Sequence, residues 1–177
     1  MVLSLFGCIA TSRYATANNE TQNAKPKTAV EVSEMKISSV FNNGDNIPKK
    51  YTCDGQDISP ALKVNDVPAT AKSLVLIVDD PDAPRGTWTH WTVWNIPPTT
   101  KDIPEGAKLG VEGITDFGTI GYGGPCPPSG SHTYRFKLYA LDKMLDLRRG
   151  ASLSELEKEM NGHVIAQAEL DGEYQRA

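Results

Sequence analysis

The sequence predicts a mainly β domain of α+β type, an antiparallel β core followed by short C-terminal helices, and three observations carry that reading. Twelve prolines and fifteen glycines in 177 residues suit frequent turns and few long helices. Residues 74–78, Leu-Val-Leu-Ile-Val, are continuously apolar, the pattern of a strand buried on both faces. Residues 133–141 alternate, with Tyr134, Phe136, Leu138 and Ala140 on one face and Arg135, Lys137 and Tyr139 on the other. Strand patterns come first and helical ones last, the order expected of an α+β chain.

The chain divides into a tether, residues 1–29, and a folded domain, residues 30–177. Leu5-Phe6-Gly7-Cys8 closes a short apolar stretch and resembles a bacterial lipobox, whose Cys takes lipid after cleavage. Residues 11–28 then run polar, as the tether of an envelope lipoprotein would. No basic flank precedes the stretch, as a secretory signal requires. Two readings therefore stand: a truncated lipoprotein signal lipidated at Cys8, or a polar extension with an incidental Cys. The first places the protein in the cell envelope or periplasm, anchored to a membrane through that lipid; the second leaves it cytoplasmic. An Asn19-Glu20-Thr21 sequon matters only in a host that glycosylates. No other segment reaches the ~20 apolar residues that span a bilayer.

Within the domain, residues 35–41 alternate loosely, and Asn42-Asn43-Gly44-Asp45 signals a turn. A second turn is expected at Asp54-Gly55. The central strand at 74–78 stops at Asp79-Asp80-Pro81-Asp82-Ala83-Pro84, where two prolines forbid helix and ladder alike. Residues 91–96 form the next strand, with Trp91, Val93 and Asn95 facing one way and Thr92, Trp94 and Ile96 the other, until Pro97-Pro98 stops it. Gly and Pro dominate residues 104–131, which read as one long ordered loop; loops of that length are usually functional when they are not disordered. Ser152-Leu153-Ser154-Glu155 is a capping box opening a helix, with Leu153, Leu156 and Met160 on one face. Asn161-Gly162 ends it, and residues 163–170 are expected to form a second short helix.

Eighteen basic against 22 acidic residues give a net charge of −4, which offers no general attraction to nucleic acid or anionic lipid. An anion site would have to be local, built from donors inside a cleft. If Cys8 carries lipid, Cys53 and Cys126 remain an even pair, bridged in an oxidising compartment; in a cytoplasmic protein they are two free thiols.

Two segments carry most of the chemistry. Two of the three histidines lie in Asp80-Pro81-Asp82-Ala83-Pro84…His90-Trp91 and Gly130-Ser131-His132-Thr133-Tyr134, each beside a strand pattern that can hold a side chain in place. Imidazoles, a phenol and backbone N–H groups are donors toward phosphate oxygen. Carboxylates such as Asp80 and Asp82 orient histidines from behind. Four functions follow, ranked in this order. The first is a non-catalytic binding module for a small anion, a phospholipid head group or a phosphorylated protein. The second is an inhibitor that docks a protease through an exposed loop at 104–118. The third is a two-His-one-carboxylate metalloprotein, and the fourth a hydrolase using Cys126 or Cys53 with His132 or His90 as base. No Gly-x-Ser-x-Gly elbow and no P-loop is present, and no cofactor is expected.

Tyr51-Thr52-Cys53-Asp54-Gly55, Asp57-Ile58-Ser59-Pro60, Asp80-Pro81-Asp82-Ala83-Pro84, His90-Trp91, Gly123-Gly124-Pro125-Cys126-Pro127-Pro128 and His132-Thr133-Tyr134 occur in that order. Together they resemble the phosphatidylethanolamine-binding protein family, in its prokaryotic Raf-kinase-inhibitor-like branch, over residues 35–176. The resemblance implies two antiparallel β-sheets and a preformed pocket for phosphate-type head groups or phosphorylated ligands. It implies partners among lipids, proteases or kinase pathways. By position, Asp80, His90, His132 and Tyr134 would line the pocket, with Asp82 and Pro128 close by. The family usually has His-Arg-Tyr where this chain has His132-Thr133-Tyr134. Alternation points residue 133 away from the pocket, so the change is expected to affect the opposite face.

Overall fold

The computed structural model describes residues 34–176. The tether at 1–29 and Cys8 lie outside the described residues, as do the sequon at Asn19 and the expected domain start near Val30. A small sheet pairs β1 (Lys36–Ser39), β2 (Leu62–Asn65) and β5 (Asp102–Ile103) in the order β1-β2-β5. A larger one is built from β3 (Ser73–Asp80), β4 (Trp88–Ile96), β6 (Val111–Glu112), β7 (Ser131–Leu141) and β8 (Val164–Gln175), in the order β6-β4-β3-β7-β8. Every strand pairing is antiparallel. The two-sheet, mainly β architecture is as expected.

β3 is central and buried at all eight positions, which is why its sequence shows no polar alternation. Leu74, Leu76 and Val78 join Trp91, Val93, Phe136 and Leu138 in a core shared with Ile37, Leu62 and Val64 of the small sheet. Val75, Ile77 and Trp94 on the other face pack with Leu145, Leu156 and Met160, beneath the helix α1 (Leu153–Met160). The molecule is thus layered: small sheet, large sheet, helix. Ser152 caps α1 by accepting the Glu155 N–H, while the Glu155 carboxylate accepts the Ser152 N–H, the reciprocal capping box expected.

Three expectations are corrected. Residues 163–170 are not a second helix; His163 is in the turn after α1 and residues 164–170 belong to β8, whose rungs run from Ser131↔Gln175 to Leu141↔Val164 along the whole of β7. Ala166, Ala168, Leu170 and Tyr174 face the inter-sheet core, so a polar–apolar period of two overrides the local helical preference of an Ala-Glu-Leu stretch. Second, Ile96 packs with Trp91 and Val93 rather than with Trp94. Register advances three residues on β4 (Ile96 to Val93) against two on β3 (Leu74 to Leu76), and Asn95 adopts φ 57°, so a bulge reverses the side chain beyond it. Third, the loop at 104–131 contains β6, on the edge beside β4, and a bridge between Ile114 and Ile120.

Candidate functional site

Antiparallel pairing brings the end of β3 beside the starts of β4 and β7, and all three carry residues singled out above. Asp79 lies opposite Thr89 on β4 and Arg135 on β7; one row beyond, Asp80 pairs with Trp88. Asp80 therefore stands where Trp88, His90, His132 and Tyr134 converge. His90 reaches this end through a second bulge. Register advances two residues on β4 (Trp91 to Thr89) against one on β3 (Val78 to Asp79), which leaves His90 as the extra residue. Bulges re-aim side chains, and this one lets His90 face Tyr134 although Trp91 beside it points into the core.

Both imidazoles are held at Nδ1. The His90 Nδ1–H donates to the Gly123 carbonyl at 2.7 Å, and the His132 Nδ1–H donates to Asp80 Oδ2 at 2.7 Å. A carbonyl only accepts hydrogen bonds, so the His90 proton sits on Nδ1 and Nε2 carries the lone pair in the neutral ring. Neither Nε2 has a protein partner among the described residues. His90 is 2 % exposed, and burial pushes its imidazole below the ordinary range, so it is neutral at pH 7.

The other Asp80 oxygen accepts the Asp82 N–H at 2.9 Å, fixing the Pro81 turn. Asp82 is exposed and accepts the Thr133 N–H at 2.8 Å, which pins that turn to β7 and holds the Asp82 carboxyl below the usual range. Tyr134 is fully buried, its ring 5.1 Å from that of His90 at 90°. Its Oη finds no hydrogen-bond partner among the described residues; burial, with the Asp80 charge nearby, pushes the phenol far up, so it remains an O–H donor.

A cavity of about 290 Å³ opens here, lined by Asp80, Ala83, Pro84, Arg85, Trp88, His90, Phe117, Cys126 and Pro128. Of the residues expected from sequence, Asp80, His90 and Pro128 lie in its wall. His132 stands behind Asp80 and Tyr134 behind His90, whereas Asp82 acts on the turn and does not line it. A larger groove of about 380 Å³ beside Lys36, Lys137 and Glu169 contains none of them. The structure also joins Cys53 to Cys126, Cα atoms 5.5 Å apart, so neither sulfur is a free thiolate. Among the described residues no three His, Cys, Asp or Glu side chains converge to hold a metal.

Sequence reasoning missed Trp88, Phe117 and Arg85. The Phe117 ring sits edge-on to Trp88 at 5.6 Å and to His90 at 5.1 Å. Its loop is anchored by the Thr89 N–H donating to Asp116 at 2.6 Å and by the Asp116 N–H returning to the Thr89 carbonyl at 3.1 Å. An aromatic in a Gly-rich stretch, one of two with Tyr122, was the available signal. Arg85 forms no ion pair among the described residues, and so brings an uncompensated cation to a wall otherwise mostly apolar. Thr133 lies on the outer face of β7, opposite Glu173, as alternation required.

Comparison with known proteins matches residues 37–175 to the family model described as phosphatidylethanolamine-binding protein. A UPF0098 protein of Pyrococcus horikoshii is 56% identical over 157 residues, covering 82% of this chain and 79% of that protein. Another, from Methanothermobacter thermautotrophicus, is 52% identical, covering 77% and 95%. Among solved structures, a phosphatidylethanolamine-binding protein homolog from Chlamydia trachomatis superposes with a TM-score of 0.79 at 46% identity, covering 81% of this chain and 99% of that one. E. coli YbcL, described as a member of the mammalian family of that name, gives 0.75 at 34% identity, covering 82% and 100%.

Proposed function

We infer the function from one premise: this chain belongs to the phosphatidylethanolamine-binding protein family. On it we propose that the cavity beneath Phe117 is a non-catalytic receptor for a phosphate-type anion, either a phospholipid head group or a phosphorylated small ligand. The observation that carries the reading is a pair of imidazoles, His90 in the cavity wall and His132 bonded to the Asp80 of that wall, each fixed at Nδ1 and each with Nε2 unpaired among the described residues. Asp80 and the Gly123 carbonyl set the tautomers before a ligand arrives, so little conformational freedom is lost on binding. The neutral His90 Nε2 accepts rather than donates. A ligand oxygen must therefore carry its own proton, or binding must bring one to the ring. Arg85 supplies charge attraction at the wall, and Trp88 and Phe117 exclude water around the contact, which strengthens it.

Calorimetric titration with inorganic phosphate tests this. Wild-type protein is expected to bind, and His132→Ala to bind roughly tenfold or more weakly, since the change strips the Asp80 carboxylate in the cavity wall of its hydrogen-bond partner and leaves it to repel an anion. Equal affinity in the two proteins would reject the assignment.

A further inference from the structure

Cys126 lies in the cavity wall and is bonded to Cys53, 73 residues earlier. The segment that carries it, residues 121–128, has no helix or strand of its own. It nevertheless supplies the Gly123 carbonyl that orients His90, together with the Cys126 and Pro128 walls. Three hydrogen bonds tie it to the turn at 51–57. The Gly124 N–H donates to Asp57 Oδ1 at 2.7 Å, the Tyr122 hydroxyl to the Tyr51 carbonyl at 2.9 Å, and the Cys53 N–H to the Pro125 carbonyl at 3.1 Å. The approach is close enough that a Cβ on Gly124 would stand 2.6 Å from both Asp57 Oδ1 and the Tyr51 carbonyl oxygen. Gly123 is also tied to His90 by two hydrogen bonds, and the Tyr122 ring packs edge-on to Trp91 at 5.7 Å. The disulfide is thus the covalent member of the clamp that places a wall of the cavity and the acceptor for His90. Both cysteines are partly exposed, Cys126 toward the cavity, so a small thiol can reach the bridge from the side where a ligand would sit.

We propose that the Cys53–Cys126 bridge couples the redox state of the protein to occupancy of the cavity: reduction weakens anion binding, and a bound anion protects the bridge. The proposal rests on the anion-binding reading above. The reductant is a dithiol. Its thiolate attacks Cys126 Sγ, the S–S bond breaks, and Cys53 leaves as a thiolate that takes up a proton. The second thiol of the reductant then displaces Cys126 from the mixed disulfide. Two electrons and two protons have passed to the protein, and the reductant closes its own disulfide. Without the bridge, the segment at 121–128 is held by hydrogen bonds and packing alone, so the Gly123 carbonyl fixes the His90 ring less firmly. Linkage makes the effect reciprocal: the factor by which reduction weakens anion binding is the factor by which saturating anion disfavours reduction.

The experiment uses the full chain with Cys8→Ser, so that the bridge is the one redox couple, and inorganic phosphate as probe. Phosphate affinity is measured by calorimetry on the oxidised protein, on protein reduced with dithiothreitol, and on Cys53→Ser/Cys126→Ser. The bridge is separately equilibrated against mixtures of reduced and oxidised dithiothreitol with and without phosphate. The His90 imidazole ¹⁵N shifts, read without ligand, report its tautomer. Expected are an affinity at least about fivefold weaker in both bridge-free forms, at the low end of common couplings, and an equal factor in the reduction equilibrium. The His90 signals should move toward a mixed tautomer. Equal phosphate affinity in all forms, or unchanged His90 signals, would overturn the coupling while leaving the anion-binding reading intact. Absence of phosphate binding even in the oxidised protein would overturn both. Global unfolding on reduction, seen as loss of near-ultraviolet dichroism, would overturn it as a local control.

Discussion

His90 concentrates what is unusual about this chain. It is the extra residue of a bulge, almost wholly buried, and hydrogen-bonded at Nδ1 to a carbonyl that only accepts. Burial lowers its pKa in the folded protein below the ordinary imidazole value near 6.5. The unfolded chain therefore holds more protons once the pH falls beneath that value. His90 contributes its full stability above pH ~6.5 and loses it as the pH drops toward the lower, folded value. Urea unfolding of wild type and His90→Gln from pH 8 to pH 5 measures this. The difference between the two should be flat above about pH 7, with wild type losing ground on the acid side. Parallel profiles would show that His90 is not buried neutral. The same residue marks how far sequence reading reached. Its chemistry and its proximity to Asp80 were legible from the motifs. Its orientation was not, because strict alternation sets it on the face opposite Trp91, and a bulge leaves no pattern in the sequence around His90.

Elements were legible where local and long-range preferences agree. β3 reads as a buried strand, β7 alternates without a break, and the Ser152–Glu155 box marks the start of α1. They were illegible where the two conflict. Residues 164–170, with two alanines, Gln, Glu and Leu, favour helix locally, yet the rungs to β7 decide for strand. Gly172 shows how tightly that strand is held. A Cβ there would meet Ile47 Cγ1 at 2.5 Å and a Phe41 ring carbon at 2.7 Å, because the chain around Ile47 packs directly on β8. The Ile47 N–H donates to the Glu173 carbonyl at 2.7 Å, closing the contact from the backbone. Gly172→Ala is expected to destabilise the protein by about 1–3 kcal/mol through overpacking, read as a lower urea midpoint with unchanged slope. A neutral substitution would mean that this part of β8 is held less closely than the structure has it.

Across the whole molecule, the large sheet does two things at once. Its faces bury a core on the small-sheet side and another under α1. Its end, where β3 stops and β4 and β7 begin, leaves ionisable groups around a hollow of about 290 Å³. A net charge of −4 cannot draw an anion to the protein as a whole, so under the proposed function the charge attraction must come from Arg85 at short range. The motifs predicted that distant segments meet at this place. They did not predict the apolar walls, because Trp88 and Phe117 come from positions with no motif of their own. The most direct test is a crystal soaked in phosphate and solved at a resolution that shows ordered anions. Tetrahedral density within hydrogen-bond distance of His90 Nε2, under the Phe117 ring, is the predicted result. An empty cavity at saturating phosphate, or an anion held by Arg85 alone with both imidazoles untouched, would contradict it.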